Sequence, residues 1–113
     1  GLVGSEMCIR DRDGKILPRY GVYACQVLID GTWYGGVGNA GVKPTVMQEQ
    51  RELFEVYVYD YAGNAYGKYI TIRFLEFERP ETRFDSLKEL KACVMQDMRY
   101  GEEYLREHPL TKS

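Results

Sequence analysis

Glu52 to Tyr61 reads ELFEVYVYDY, and this stretch decides the fold class. Its side chains alternate between two kinds, a period of two that is typical of a strand with two different faces. One face carries Phe54, Val56 and Val58, and the other carries Leu53, Glu55, Tyr57 and Tyr59. The pattern predicts a strand that buries its Phe and Val side chains and presents a carboxylate among aromatic rings on its other face.

Strand patterns also occur on both sides of this stretch. Tyr20 to Asp30 (YGVYACQVLID) is rich in Val, Ile, Leu and Tyr, and Asp30-Gly31 is a strong two-residue hairpin signal. Thr32 to Val37 is the predicted return strand. After a turn at Ala62-Gly63-Asn64, Tyr69 to Phe77 (YITIRFLEF) predicts another strand, whose apolar face carries Ile70, Ile72 and Phe74.

Gly36 to Val46 (GVGNAGVKPTV) interrupts this pattern with several glycines and a proline. Both residue types weaken a central strand, so the segment is predicted to be a loop. Glycine-rich loops can offer backbone N–H groups to phosphate, which makes Asn39, Gly41, Pro44 and Thr45 candidate binding residues. The alternative is a long hairpin loop built from ordinary turn residues, since the segment is not a Walker motif.

The period changes near the C-terminus, where a helix is predicted. Ser86 and Glu89 match a capping box, and the helix is expected to end near Glu107, before Pro109. Apolar residues recur near helical spacing at Leu87, Leu90, Val94, Met98 and Leu105. This stripe is expected to close one side of a β-barrel.

Composition and charge exclude several classes of function. The 113 residues suit one domain, and a net charge of −2 argues against a nucleic-acid partner. Three scattered cysteines (Cys8, Cys25 and Cys93) favour reduced thiols in a cytoplasmic protein over a disulfide framework. No apolar run approaches the roughly 18 residues of a membrane span, and the N-terminus is not a signal peptide. His108 alone cannot complete a catalytic triad.

Two further clusters carry possible chemistry. Glu55 could accept a proton from a substrate hydroxyl, although a solvent-facing glutamate fits the same pattern. Arg79 and Phe84 lie where strand gives way to helix, and they could contact a flat heteroaromatic ring. A surface ion pair and a helix-docking contact are the respective alternatives. Tyr66 and Gly67 follow Asn64 in a turn cluster, for which an ordinary β-turn is the simpler interpretation.

Four stretches together resemble the riboflavin kinase domain, found alone or as the C-terminal half of bifunctional riboflavin kinase/FAD synthetases. They are ILPRYGVYACQV from Ile16, YGGVGNAGVKPTV from Tyr34, FEVYVYDYAGNAYG from Phe54 and FLEFERPETRFDSLKELKACVMQD from Phe74. The resemblance covers Asp13 to about Arg106. It implies a six-stranded antiparallel Greek-key-like barrel with a C-terminal helix, which transfers the ATP γ-phosphate to the riboflavin 5′-hydroxyl.

The resemblance also implies roles for individual residues. Glu55 aligns with the family's catalytic base. The implied substrate-binding residues are Asn39, Gly41, Pro44, Thr45, Arg79 and Phe84, and the implied nucleotide-binding residues are Tyr66 and Gly67. Mg²⁺ is the implied cofactor, with ATP as co-substrate, and an FMN adenylyltransferase domain could precede this one. A non-catalytic flavin-binding module on the same barrel, or an unrelated barrel serving as a scaffold, remains the alternative.

Three departures from the family pattern shape the expected activity. Tyr57 stands where many members have His, and Asn64-Ala65 replaces Asp-Leu. The Pro-Thr-Ala-Asn segment, whose Thr and Asn serve MgATP in the family, does not occur, so the expected metal ligands are missing and activity is expected to be impaired. Residues 1–12 (GLVGSEMCIRDR) resemble translated sequencing-adapter read-through. The predicted organisation is a non-native or disordered segment at 1–12, the domain at 13–107 and a tail at 108–113.

Overall fold

A computed structural model describes the backbone of residues 4–10, 19–44, 50–63, 65 and 67–109, and the side chains of 19–42, 53–63, 65 and 67–109. Five strands precede one helix: β1 (Gly4–Arg10), β2 (Gly21–Ile29), β3 (Thr32–Pro44), β4 (Gln50–Tyr59), β5 (Thr71–Pro80) and α1 (Leu87–Glu107). The strands form one antiparallel sheet in the order β1-β4-β3-β2-β5. The prediction of an all-β fold with a C-terminal helix is therefore confirmed. Within these described ranges, the structure contains no helix with an apolar stretch that could span a membrane.

The sheet is strongly curled around its main core. The rings of Phe54 on β4 and Phe74 on β5 have centroids 5.1 Å apart, although β3 and β2 lie between their strands. In a flat sheet three strand spacings would separate them by about 14 Å. Phe54 and Val56 are buried inside the curl, where Ile70, Ile72 and Phe74 pack against them, so this predicted interior set is confirmed. Closure as a six-stranded barrel stays a prediction, because the described sheet has five strands.

From Gly36 to Pro44 the glycine-rich segment is a strand, and the prediction of a loop was wrong there. β3 runs through Pro44 in the middle of the sheet and pairs with both β2 and β4. A Cβ at Gly38 would lie 2.8 Å from Cε1 of Phe54 and 2.9 Å from the carbonyl oxygen of Glu55. Glycine therefore lets the core ring approach the strand, a role that local turn preference cannot reveal.

Residues 4–10, to which the sequence analysis assigned no element, form β1. They pair with β4 from Gly4 opposite Tyr59 to Arg10 opposite Leu53, so β1 lies along the outer edge of β4. Backbone hydrogen bonds can form such a pair whatever the side-chain period is, which explains why pattern analysis found no strand here. The non-native origin of residues 1–12 stays a prediction.

The predicted turn and helix cap are both confirmed. Asp30 and Gly31 have positive φ values of 50° and 80°, as a two-residue hairpin turn needs. The N–H of Glu89 donates to Oγ of Ser86 at 3.2 Å, and the carboxylate of Glu89 accepts from the N–H of Asp85 at 3.1 Å. These bonds satisfy N–H groups at the start of α1.

Helix α1 docks on the sheet through its C-terminal half only. Met98 and Leu105 cover a second apolar cluster formed by Val22, Val37 and Tyr59 on the outer face of the sheet. The hydroxyl of Tyr59 donates to the carbonyl of Met98 at 2.5 Å. By contrast, Leu87, Leu90 and Val94 are 64, 40 and 38% exposed, so the predicted stripe does not cover the sheet along its whole length.

Candidate functional site

A cavity of about 360 Å³ lies between the N-terminal half of α1 and the outer face of the sheet. This volume is in the range of small-ligand sites. Its polar lining consists of Asn39, Glu55, Arg79, Thr82 and Asp97, and its apolar lining includes Val37, Tyr57, Phe84, Leu90, Val94 and Met98. Leu90 and Val94, which α1 leaves exposed, therefore form part of one wall of this cavity.

Asn39 and Glu55 form a cross-strand pair at the sheet side of the cavity. They are directly opposite each other on β3 and β4, so their Cβ atoms are about 5 Å apart on one face. The alternation of β4 buries Phe54 and Val56 on the far side and turns half-buried Glu55 towards α1. The side-chain oxygen of Asn39 is buried and accepts no hydrogen bond. A carboxylate and an unsatisfied amide oxygen therefore stand side by side, as acceptors for hydroxyl groups of a ligand.

Arg79 and Asp97 form a bidentate ion pair that joins the end of β5 to α1. Nε of Arg79 donates to Oδ1 of Asp97 at 3.0 Å, and Nη2 donates to Oδ2 at 2.7 Å. Nη1 donates to the carbonyl of Pro80 at 3.1 Å and contacts Oγ1 of Thr82 at 3.4 Å. The hydrogen bond to Asp97 raises the pKa of Arg79, which stays charged. Since all three nitrogens are engaged, Arg79 can meet a flat ligand ring more readily by stacking than by hydrogen bonding.

Glu78 lies beside this pair on β5. Burial, and after it hydrogen bonding and charge repulsion with the adjacent Asp97, together raise the pKa of its carboxyl to about 8, against the lowering effect of Arg79. Oε2 of Glu78 is buried without a hydrogen-bond partner. Near pH 7 Glu78 is therefore mostly protonated, and Asp97 carries the negative charge that faces Arg79.

Comparison with known proteins identifies the family. The family model described as Flavokinase: Riboflavin kinase matches residues 8–105. The chain belongs to the riboflavin kinase family. It is 40% identical over 82 residues to a bifunctional riboflavin kinase/FMN adenylyltransferase of Pseudomonas fluorescens, covering 73% of this chain and 26% of that protein. The protein of the same description from Escherichia coli is 38% identical over 91 residues, which are 80% of this chain and 29% of that protein.

The fold is also similar to part of a solved structure. A crystal structure of a macrolide-efflux protein from Streptococcus pneumoniae matches 77% of this chain and 28% of its own, with a TM-score of 0.67 and 26% identity. The chain thus spans about a quarter to three tenths of the length of these relatives. The described cavity lies within residues 8–105, which the family model matches.

The structure brings four of the predicted riboflavin kinase residues together and separates others from them. Glu55, Asn39, Arg79 and Phe84 all line the cavity. Gly41 lies further along the same face of β3, where the side chain of Glu81 covers it. Of the remaining set, Pro44 ends β3 with its side chain undescribed, whereas Thr45 and Tyr66 lie outside the described residues.

Gly67 does not lie near the cavity. It has a positive φ of 81°, and its neighbour Lys68 forms an ion pair with Asp30 in the β2–β3 turn. Asn39 is eight residues along β3 from that turn, or roughly 26 Å at 3.3 Å per residue. The proposed nucleotide role of Gly67 stays a prediction, and the described contacts of its loop are those of a turn.

Sequence reasoning missed Asp97 and Glu78. Asp97 falls on the buried side of α1, three residues after Val94 and four before Gly101. A carboxylate at a buried helix position needs a cation, which is the signal that could have paired it with Arg79. Glu78 carries no comparable signal, because its neighbour Asp97 comes from a different element.

The described side chains do not by themselves form a magnesium site. Among them, no group of three or more His, Cys, Asp or Glu residues could hold a metal ion. Two carboxylates, Glu55 and Asp97, line the cavity, and Asp97 is already paired with Arg79. Mg²⁺ in nucleotide sites is held by one or two carboxylates together with substrate phosphates. We therefore assign no catalytic step to a metal here.

Proposed function

We propose that this domain transfers the γ-phosphate of ATP to the 5′-hydroxyl of riboflavin and so forms FMN. Membership of the riboflavin kinase family supports the proposal. The observation that carries it is the pairing of Glu55 with Asn39 in a cavity that also has an apolar wall. One end of such a cavity suits a polyhydroxyl chain, and the other suits a flat heteroaromatic ring.

Glu55 is the proposed general base. Its carboxylate accepts the proton of the 5′-hydroxyl as the bond from that oxygen to the γ-phosphorus forms and the bond from the γ-phosphorus to the bridging oxygen breaks, which releases ADP. The side-chain oxygen of Asn39 accepts a hydrogen bond from a hydroxyl of the ribityl chain and so aligns that chain. In phosphoryl transfer most of the rate comes from such positioning and from charge neutralisation.

Arg79 and Phe84 are the proposed contacts for the flavin ring. Phe84 can stack on or pack edge-on against the ring, and the guanidinium plane of Arg79 can lie over it. Leu90 and Val94, exposed on α1, would lose their contact with water when the ring binds. The ligand thus fills the part of the stripe that the sheet leaves uncovered.

The finer features that the family implies are also proposals. We propose that Mg²⁺ binds together with ATP, that the sheet closes as a six-stranded barrel, and that the protein is cytoplasmic. The relatives from Pseudomonas fluorescens and Escherichia coli are named bifunctional riboflavin kinase/FMN adenylyltransferase, and the chain covers 26 and 29% of them. This supports an adenylyltransferase domain elsewhere in the full-length protein.

Replacement of Glu55 by Gln tests the proposed function. Gln keeps the shape of the side chain but cannot accept the proton, so riboflavin binding should stay within about twofold while FMN formation falls by roughly 10²-fold or more. Binding is measured by quenching of flavin fluorescence, and FMN by chromatography with riboflavin and MgATP. Because the chain itself is expected to turn over slowly, FMN is also measured in a version that carries a Pro-Thr-Ala-Asn segment in place of residues 1–12.

Glu103→Gln is the matched control, because Glu103 is exposed on α1 and outside the cavity lining. It should leave both binding and turnover unchanged. If the unmodified chain does not bind riboflavin, or if Glu55→Gln turns over within a few-fold of its parent, the proposal is wrong. If the unmodified chain and the version with the Pro-Thr-Ala-Asn segment both bind riboflavin but neither forms FMN, a non-catalytic flavin-binding module is favoured instead.

A further inference from the structure

The Arg79–Asp97 pair is the most heavily bonded polar contact between α1 and the sheet that the described residues show. The side chains are 23 and 12% exposed, and two parallel hydrogen bonds fix the plane of the guanidinium. Bidentate geometry of this kind adds directional control as well as attraction. The pair therefore determines where the cationic plane of Arg79 stands in the cavity wall.

Arg79 in turn organises the segment that carries Phe84. Its Nη1 holds the carbonyl of Pro80, and Oγ1 of Thr82 bonds to that same carbonyl at 3.3 Å. Thr82 and Phe84 follow within the short connection between β5 and α1, and both line the cavity. A guanidinium that loses its fixed orientation would release the start of this connection, and Phe84 would lose its fixed position.

Glu78 completes the arrangement on the other side of Asp97. Its pKa is raised to about 8, first by burial and then by its hydrogen bond and repulsion with Asp97, so the carboxyl is mostly protonated near pH 7. A protonated carboxyl can donate to a carboxylate. Asp97 is thus held between a neutral donor on β5 and the cation of Arg79.

We propose that Asp97 is a positioning residue for the flavin end of the cavity. It acts through Arg79, whose fixed plane and whose bonds to the β5–α1 connection place Phe84 against the ligand. This inference rests on the proposed function, because the ligand it names is riboflavin. It goes beyond a surface ion pair between β5 and α1, which would stabilise the fold without affecting ligand affinity.

The test compares riboflavin affinity in Asp97→Asn, Arg79→Lys and the double variant of the 113-residue chain. Asp97→Asn should raise the dissociation constant about tenfold, the scale of one charge-assisted hydrogen bond. Arg79→Lys keeps the positive charge but cannot form the two parallel hydrogen bonds, and it should also raise the dissociation constant about tenfold. If Asp97 acts through Arg79, the double variant should bind about tenfold more weakly than the unmodified chain, as each single variant does. Two independent effects would instead make it about 100-fold weaker than the unmodified chain.

Leu105→Ala is the control for simple loosening of the helix. Leu105 packs α1 on the sheet but does not line the cavity. This variant should lower the unfolding midpoint and leave riboflavin affinity within about twofold. An additive double variant, affinity unchanged in Asp97→Asn, or a loss in Leu105→Ala that matches the loss in Asp97→Asn would overturn the positioning role alone.

A spectroscopic readout separates this role from the proposed function. In nitrogen–proton spectra, the Nε–H signal of Arg79, assigned with Arg79→Lys, should be shifted and protected from exchange in the unmodified chain and not in Asp97→Asn. Absence of that protected signal in the unmodified chain would show that the pair does not exist in solution and would overturn this inference only. A protected signal without any riboflavin binding would overturn the proposed function, and the positioning role with it.

Discussion

Replacement of Gly101 by Ala tests how α1 sits on the sheet. On an exposed helix this change would stabilise the protein by about 1 kcal/mol, because glycine is a poor helix former. At Gly101, however, the added Cβ would lie 2.6 Å from the hydroxyl of Tyr59 and 2.8 Å from Cβ of Val37. The Tyr59 side chain is buried and held by its hydrogen bond to Met98, and Cβ of Val37 is attached directly to the backbone, so the helix or the sheet must move.

Overpacking of this kind costs roughly 1–3 kcal/mol, and the two contacts below 3.0 Å put Gly101→Ala in the upper part of that range, about 2–3 kcal/mol, which exceeds the propensity gain. We expect Gly101→Ala to lower the free energy of unfolding by about 1–2 kcal/mol, or the melting temperature by roughly 4–10 °C in a domain of this size. The same displacement would move Met98 and Val94 away from β3 and β4. Riboflavin affinity should therefore fall as well.

Circular dichroism with urea and thermal unfolding measures the first effect, and flavin fluorescence measures the second. Tyr59→Phe combined with Gly101→Ala should recover part of the stability, because it removes the nearest clashing atom but leaves Val37. A single Gly101→Ala variant that is as stable as its parent, or more stable, would refute the docking of α1 through Gly101.

Phe74→Ala should cost about 3 kcal/mol, at the low end for a core phenylalanine because the ring is half-buried against Tyr23 and Phe54. Leu87→Ala, at a site 64% exposed, is its control, and a loss under 1 kcal/mol for Phe74→Ala in urea unfolding would contradict this packing. The pKa of Glu78 is raised from 4.5 to about 8, which means that the folded state favours the protonated carboxyl. The protonated carboxyl therefore stabilises the fold fully below pH 4.5, and this stabilisation is lost as the pH rises through 8. Relative to Glu78→Gln, the free energy of unfolding of the unmodified chain should therefore fall by roughly 1–2 kcal/mol between pH 5 and 8.5, allowing for solvent screening. If the free energies of unfolding of the two proteins change with pH in parallel, this prediction is wrong.

Local rules in the sequence were enough to predict the strand around Glu55, the hairpin at Asp30-Gly31 and the start of α1 at Ser86. Each depends on a few neighbouring residues: a period of two, a need for positive φ, and a side chain that satisfies free N–H groups. Because alternation along one strand also separates its two faces, the sequence alone placed Glu55 opposite Phe54 and Val56. The same reasoning could not show which group on another strand would face Glu55.

The failures of local reasoning have a common physical cause. The glycines of β3 favour turns when considered alone, but the ring of Phe54 needs the space above Gly38, and packing outweighs the local preference. β1 was missed because backbone pairing needs no side-chain pattern. Helix α1 was predicted correctly, whereas which of its apolar residues the sheet covers depends on how the helix docks.

Residues that are close along the chain were enough to predict β2, β4, β5 and α1, the two-faced character of β4, the helix cap and the family resemblance. The site, by contrast, depends on contacts between elements. Sheet register sets Asn39 beside Glu55, and helix docking sets Asp97 on Arg79, 18 residues away. Sheet curl and helix placement together leave the cavity between them. Such contacts join residues that are distant in sequence, and their free energy depends on distances that no local pattern specifies.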